Sequence, residues 1–70
     1  MIGYVAKDKC GGVYLHIEEP YYEADLESWF STSKMINITG LFSEFDNMSY
    51  TDEPIKVEIN IKRIWLQIFH

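Results

Sequence analysis

The sequence has few of the residues with which small proteins form covalent or metal crosslinks. Cys10 is the only cysteine, so no disulfide can form within the chain, which indicates a protein made for a reducing compartment. Neither His16 nor His70 has another histidine or a cysteine at metal-ligand spacing. We therefore expect one small domain over residues 1–70, held by its hydrophobic core, with no cofactor and no metal.

Long apolar runs and basic residues are also scarce. The longest apolar stretch, around residues 64–69, is too short to cross a bilayer, and the first residues lack the pattern of a signal peptide. Six basic residues stand against eleven acidic ones, which leaves too few cations for the face that nucleic-acid phosphates require. We expect a cytoplasmic protein, with no membrane contact and no direct nucleic-acid binding.

The negative charge is concentrated in the centre of the chain, where aromatic residues lie among the acids. Residues 18–53 carry nine acidic side chains against Lys34 alone, a net charge of −8. Tyrosine and tryptophan are enriched where protein interfaces gain their binding energy, although aromatics that fill the core and acids that confer solubility explain the same pattern. The predicted partner-binding residues are Tyr21, Tyr22, Glu23, Asp25, Glu27, Trp29 and Tyr50. The partner predicted for them is the basic surface of another protein.

Strict alternation of apolar and polar residues predicts strands at both ends of the chain. Residues 55–62 place β-branched side chains on one face, which is typical of a half-buried strand. Residues 2–7 and 13–17 flank a turn at residues 8–12 that contains two glycines, and this predicts a β-hairpin. His16 falls on the polar side of its strand, where a solvent-facing histidine is the plainer interpretation.

The central segments are shorter and less regular. Pro20 and five acids predict an exposed loop over residues 18–27, with a short helical turn at residues 24–28. Two short strands are predicted at residues 28–31 and 34–38, and a helical turn with Thr39 as its N-cap over residues 39–45. Connections this short exclude parallel crossovers. The predicted fold is mainly β, a small antiparallel sheet of four to five strands with one short helical turn, with an α+β arrangement left open.

The alternation changes phase after Lys62, so that both faces of the last segment become apolar. A β-bulge, a short amphipathic helix over residues 61–68, and a strand whose second face meets another chain each explain this pattern. A bare apolar strand is an aggregation hazard, which favours burial against a second copy. We therefore expect a homo-oligomer. The predicted self-association residues are Ile64, Trp65, Leu66, Ile68 and Phe69.

No arrangement of residues indicates catalysis. The acidic pairs Glu23 with Asp25 and Asp52 with Glu53 lack the ligand alternation of an EF-hand, and Gly11-Gly12 is not followed by a helix that could hold a phosphate. His16 with Glu18 or Glu19 could form a base and its orienting group. A solvated loop and a surface histidine explain these residues better, so we expect a non-enzymatic protein.

Several segments resemble small uncharacterised proteins from phages and prophages of gut bacteria. They are Val5-Ala-Lys-Asp-Lys-Cys-Gly-Gly-Val-Tyr-Leu15, Glu19-Pro20, Trp29, Leu41-Phe-Ser-Glu-Phe45 and Tyr50-Thr-Asp-Glu-Pro-Ile-Lys-Val-Glu-Ile59. The chain departs from that pattern at Ser43, where a proline is common, and in its apolar end. The resemblance implies a phage origin and a role against host defence, as in anti-CRISPR proteins, and it assigns no functional residues.

The function hypothesis that follows is a non-enzymatic inhibitor of a bacterial defence or nucleic-acid-handling protein, acting by stoichiometric contact. One alternative is an oligomeric sponge that sequesters a nucleotide immune signal, with aromatic rings stacking the bases and Lys56, Lys62 or Arg63 meeting the phosphates. Another alternative is a structural module that assembles with itself.

Overall fold

The computed structural model describes residues 1–32, 34–60 and 65–68, the last of these as backbone alone. It contains seven strands and one 3₁₀ turn, Ser43–Phe45. The strands are β1 (Ile2–Lys7), β2 (Val13–His16), β3 (Tyr21–Glu23), β4 (Ser28–Phe30), β5 (Met35–Asn37), β6 (Ile55–Asn60) and β7 (Trp65–Ile68). In the described part of the chain, no helix has the length and apolar character needed to cross a membrane.

Five of the strands form one antiparallel sheet in the order β5-β2-β1-β6-β7, and β3 pairs with β4 in a second, two-stranded sheet. β1 is the middle strand of this sheet. It pairs with β2, where Tyr4 lies opposite His16, and with β6, where Tyr4 lies opposite Lys56. The alternating pattern of the first and last segments therefore predicted the main strands correctly. The prediction of a mainly β, antiparallel fold is confirmed.

The first hairpin turn is closed by backbone bonds. The Asp8 amide donates to the Gly12 carbonyl at 2.8 Å, and the Gly11 amide donates to the Asp8 carbonyl at 2.9 Å. Gly11 has a φ of +93°, a region that side chains rarely adopt, so the turn requires glycine at this position. The predicted β-hairpin is confirmed.

The core lies on the face of the sheet to which β1, β2 and β6 send alternate side chains. Val5 and Val57 are fully buried there, and Phe45 from the 3₁₀ turn covers them from outside the sheet. Phe42 meets Phe45 edge to face with ring centroids 6.3 Å apart. The remaining buried members of this cluster are Val13, Leu15, Ile38 and Met48. Burial of these side chains is the main stabilising term, since each fully buried aliphatic group contributes about 1.5–3 kcal/mol.

The prediction of an exposed loop over residues 18–27 is wrong for its second half. Tyr21–Glu23 is a strand, and residues 24–27 form the turn of a hairpin with β4 rather than a helical turn. The Leu26 amide donates to the Glu23 carbonyl at 3.2 Å, and the Glu27 amide donates to the Ala24 carbonyl at 3.3 Å. Cross-strand pairing of aromatic residues outweighs the local preference of the acidic residues for a loop.

The predicted helical turn is present but short, and Thr39 does not cap it. The N-cap position of Ser43–Phe45 is Phe42, which makes no side-chain capping bond. The Thr39 hydroxyl instead accepts a 2.9 Å hydrogen bond from the Val13 amide. Thr39 therefore extends the pairing between β2 and β5 by one side-chain bond.

The change of phase near the end of the chain corresponds to a second hairpin. β6 ends at Asn60, β7 begins at Trp65, and the two residues lie opposite each other in an antiparallel pair. The predicted helix over residues 61–68 is therefore wrong, because residues 65–68 form a strand. The predicted continuation of the last strand is also wrong, because β7 runs antiparallel to β6. The predicted bulge near Lys62 lies outside the described residues.

Candidate functional site

The β3–β4 hairpin arranges its aromatic side chains in cross-strand pairs. Tyr22 lies opposite Trp29, and Tyr21 lies opposite Phe30. The rings of Tyr22 and Trp29 meet edge to face, with centroids 5.2 Å apart and planes inclined at 62°. Such a pair contributes about 0.5–1.5 kcal/mol beyond its buried area. The pair gives this short hairpin a rigid aromatic surface.

A loop from elsewhere in the chain completes that surface. The indole Nε1–H of Trp29 donates to the backbone carbonyl of Tyr50 at 3.0 Å. This bond holds residues 49–52 against the hairpin and leaves an open cleft of about 290 Å³ lined by Tyr22, Trp29 and Thr51. Among the described residues, two aromatic rings and one threonine line this cleft.

The hairpin is also fastened to the turn between β1 and β2. The Ser28 hydroxyl donates to a carboxylate oxygen of Asp8 at 3.1 Å, and the Lys9 ammonium forms an ion pair with the Glu27 carboxylate. Glu27 has a φ of +50°, which is uncommon for a residue with a side chain. These contacts join the two-stranded sheet to the larger one at the tip of the first hairpin.

Lys9 lies in a negative electrostatic environment. The hydrogen bond and charge of Glu27 raise the pKa of Lys9 above its usual value, and the phenol groups of Tyr50 and Tyr22 add to this effect. The ion pair with Glu27 places Lys9 against the turn of the β3–β4 hairpin. From the sequence Lys9 lies only in a turn, because no local pattern connects it with residues so far along the chain.

The prediction of a solvent-facing His16 is wrong. Only 1% of the residue is exposed, and its Nδ1 shares a 2.9 Å hydrogen bond with the Ser31 hydroxyl. Ser31, in the chain that leaves β4, covers His16 on the face of β2 opposite the core. Burial lowers the pKa of His16, and the charge of Asp8 opposes that shift. The carboxylate of Glu18 accepts a bond from the Thr32 hydroxyl at 2.6 Å.

The predicted partner-binding residues come together on one hairpin and on the loop bonded to it. Six of them lie on the β3–β4 hairpin and its turn, and Tyr50 joins them through its bond with Trp29. Tyr21 is 55% exposed and Tyr22 is 39% exposed. Leu26 at the hairpin tip is 64% exposed and was missed, although an apolar residue between Asp25 and Glu27 was a visible signal. That this surface binds a partner stays a prediction.

The structure describes only some of the predicted self-association residues, which lie at the end of the chain. Ile64 and Phe69 lie outside the described residues, and Trp65, Leu66 and Ile68 belong to β7, whose backbone alone is described. β7 is an outer strand of the five-stranded sheet. Self-association through this segment also stays a prediction.

Comparison with known proteins finds no match to this chain among protein-family models, curated proteins or solved structures. The resemblance to small phage proteins therefore stays a prediction. Within the described residues, no group of three or more histidine, cysteine, aspartate or glutamate side chains is placed to hold a metal ion.

Proposed function

We propose that this chain is a non-enzymatic binding protein that contacts a basic surface of a host protein through the β3–β4 hairpin. The contact surface, here called the acidic aromatic face, consists of Tyr21, Tyr22, Glu23, Asp25, Glu27, Trp29 and Tyr50. The observation that carries the proposal is the juxtaposition of the Tyr22–Trp29 pair with three carboxylates on one anchored hairpin.

The physical properties of this face suit an interface. The aromatic pair is held by cross-strand pairing and by the bond from Trp29 to Tyr50, so its rings lose little conformational freedom on binding. Partly exposed tyrosine and tryptophan supply contact area, and the surrounding carboxylates attract a basic partner over a longer distance. In the acidic aromatic face, the aromatic pair therefore supplies the contact area and the carboxylates increase the rate at which a basic partner associates.

The proposed target is a bacterial defence protein or another protein that handles nucleic acid. Such proteins carry clustered lysine and arginine that neutralise phosphates, and a surface of fixed carboxylates competes for the same groups. Together with the resemblance to phage proteins, this supports a phage-encoded inhibitor of the anti-CRISPR type that binds its target stoichiometrically.

The test uses tagged full-length chain and the double variant Tyr21→Ala with Glu23→Lys. We expect the original chain to retain a nucleic-acid-handling protein from host lysate at a fixed molar ratio, and the double variant to retain none of it. The recovered protein, once purified, should release a bound oligonucleotide when the chain is added. A recovered protein that holds its oligonucleotide unchanged, or that binds the double variant equally, would refute the proposal.

One observation favours the sponge as a second function. The ion pair with Glu27 places Lys9 on the same hairpin as the aromatic cleft, where its ammonium would meet a phosphate while Tyr22 or Trp29 stacks a base. Lys62 and Arg63 lie outside the described residues. Calorimetry of the chain against cyclic dinucleotides and cyclic ADP-ribose isomers distinguishes the two functions, because only a sponge binds one of them tightly.

We also propose that the chain associates with itself through its last strand. The position of β7 at an edge of the sheet supports this, since an edge strand offers unpaired backbone groups to another chain. Sedimentation of the full chain and of Leu66→Lys tests it. A full-length chain that sediments as a monomer at all concentrations would exclude self-association and the structural module with it.

A further inference from the structure

We infer that the cleft between Tyr22, Trp29 and Thr51 receives an arginine side chain of the partner. This inference rests on the proposed function, because it names the chemical group that the acidic aromatic face would recognise. It adds a defined position, ligand and preference to what is otherwise a general attraction between charged surfaces.

The aromatic walls provide the first part of the argument. The indole N–H of Trp29 is already bonded to the Tyr50 carbonyl, so the ring is held in one orientation. Tyr22 meets it edge to face at 62°, so the two rings are not stacked on each other. A planar guanidinium stacks on such a face through cation–π attraction.

The charges around the cleft provide the second part. Residues 10–33 contain no lysine or arginine, whereas Glu23, Asp25 and Glu27 all lie on the hairpin or its turn. Lys9 forms an ion pair with Glu27 at the turn of this hairpin. The hairpin thus already holds one cation of the chain itself.

Arginine suits the cleft better than lysine for two reasons. Its guanidinium is flat, so it can stack on an aromatic wall while its N–H groups reach a carboxylate, and it is less strongly hydrated than an ammonium. The cleft of about 290 Å³ accommodates a flat group. Its two aromatic rings bind a guanidinium that stacks on them more strongly than a lysine ammonium, which cannot stack.

The test measures binding of two synthetic peptides of equal length and charge, one with arginine and one with lysine at every basic position. NMR of the full chain follows the indole N–H signal of Trp29. The chain has a second tryptophan, Trp65, and the signal that disappears in Trp29→Phe is the one that belongs to Trp29. We expect the arginine peptide to shift this signal and to bind about tenfold more tightly than the lysine peptide. Tyr22→Leu should remove that preference.

The control is Tyr14→Leu, the same substitution on β2 outside the acidic aromatic face, which should leave both affinities unchanged. Thr51→Arg provides a second variant, because a side chain from within should fill the cleft and weaken arginine-peptide binding without removing an aromatic wall. Equal binding of the two peptides, unaffected by Tyr22→Leu, would overturn the arginine cleft while leaving the proposed function intact. Binding of neither peptide would overturn both, and a shift of the Trp29 signal by a cyclic dinucleotide alone would favour the sponge.

Discussion

The indole N–H of Trp29 and the backbone carbonyl of Tyr50 are joined by a hydrogen bond of 3.0 Å across 21 residues of sequence. The loop that supplies the carbonyl is ordered by its own bonds, since the Ser49 amide donates to the Asp52 carboxylate at 2.8 Å. The bond between Trp29 and Tyr50 therefore sets where Thr51 lies against the hairpin. The shape of the cleft depends on it.

Replacement of Trp29 by phenylalanine tests this bond. Trp29→Phe keeps an aromatic ring opposite Tyr22 but removes the donor to Tyr50, and loss of one such bond costs about 0.5–1.5 kcal/mol. We expect the free energy of unfolding in urea to fall by that amount. Tyr22→Phe, which keeps the ring pair and the Trp29 donor, is the matched control. Equal stabilities of Trp29→Phe and the original chain would show that the bond is not maintained in solution.

A second prediction concerns Gly3, whose position in β1 has no room for a side chain. A Cβ atom there would lie 2.6 Å from Ile59 Cδ1, 3.0 Å from Leu15 Cδ1 and 3.2 Å from the backbone carbonyl oxygen of His16, and this backbone atom cannot move aside. Overpacking of this kind costs about 1–3 kcal/mol, so Gly3→Ala should lower the midpoint of thermal unfolding. Gly12→Ala is the control, since the Cβ would meet only the ring of Tyr14, which can move. Similar losses in both variants would contradict the packing argument.

The hairpin turn holds a third testable feature, the positive φ of Glu27. A left-handed conformation costs an L-residue about 1–2 kcal/mol, and glycine avoids this at an entropic cost of about 0.5–1 kcal/mol. Glu27→Gly should therefore raise the free energy of unfolding by about 0.5–1 kcal/mol. Glu27→Gln separates this effect from loss of the ion pair with Lys9, because it removes the charge and keeps the strained backbone. A Glu27→Gly variant less stable than Glu27→Gln would refute the prediction.

The buried His16 predicts a fall in stability at mildly acidic pH. Burial lowers its pKa in the folded chain below the ordinary value of 6.5, so the unfolded chain binds more protons as the pH falls. The stabilising contribution of neutral His16 is present above pH 6.5 and is lost as the pH falls through the folded pKa. Asp8, which bonds Ser28, is the nearby charge that moderates the loss.

Urea unfolding between pH 7 and pH 5 measures this effect. His16→Gln keeps a polar group within reach of the Ser31 hydroxyl but does not titrate, so its stability should change less over that range. Ser31→Ala serves as a second variant, because it removes the partner and retains the histidine. Parallel pH profiles for His16→Gln and the original chain would assign the acid sensitivity to the carboxylates instead.

The first hairpin and β6 could be predicted from sequence because their side chains alternate between a core face and a second face. Val57 and Val5 illustrate this, since a register shift of one residue would move either from the core to the opposite face. The β3–β4 hairpin was only half predicted. Ser28–Phe30 was recognised as a strand, whereas the acids around Tyr21 and Tyr22 indicated a loop, and pairing with β4 decides the matter.

The candidate site shows the same division. Its aromatic and acidic members were visible as a composition, but Lys9 was not, because its ion pair with Glu27 links residues 18 positions apart. His16 was assigned to solvent because alternation describes only the strand that contains it. Whether the second face of a strand is exposed depends on what the rest of the chain lays over it.

The sequence by itself determined the class of fold, the main strands and the concentration of negative charge in the centre of the chain. These properties follow from local periodicity and composition. The tertiary structure alone decided that His16 is buried, that Trp29 is bound to Tyr50, and that a cleft opens between Tyr22, Trp29 and Thr51. Each of these depends on contacts between distant segments, which arise only when the β3–β4 hairpin packs against the rest of the chain.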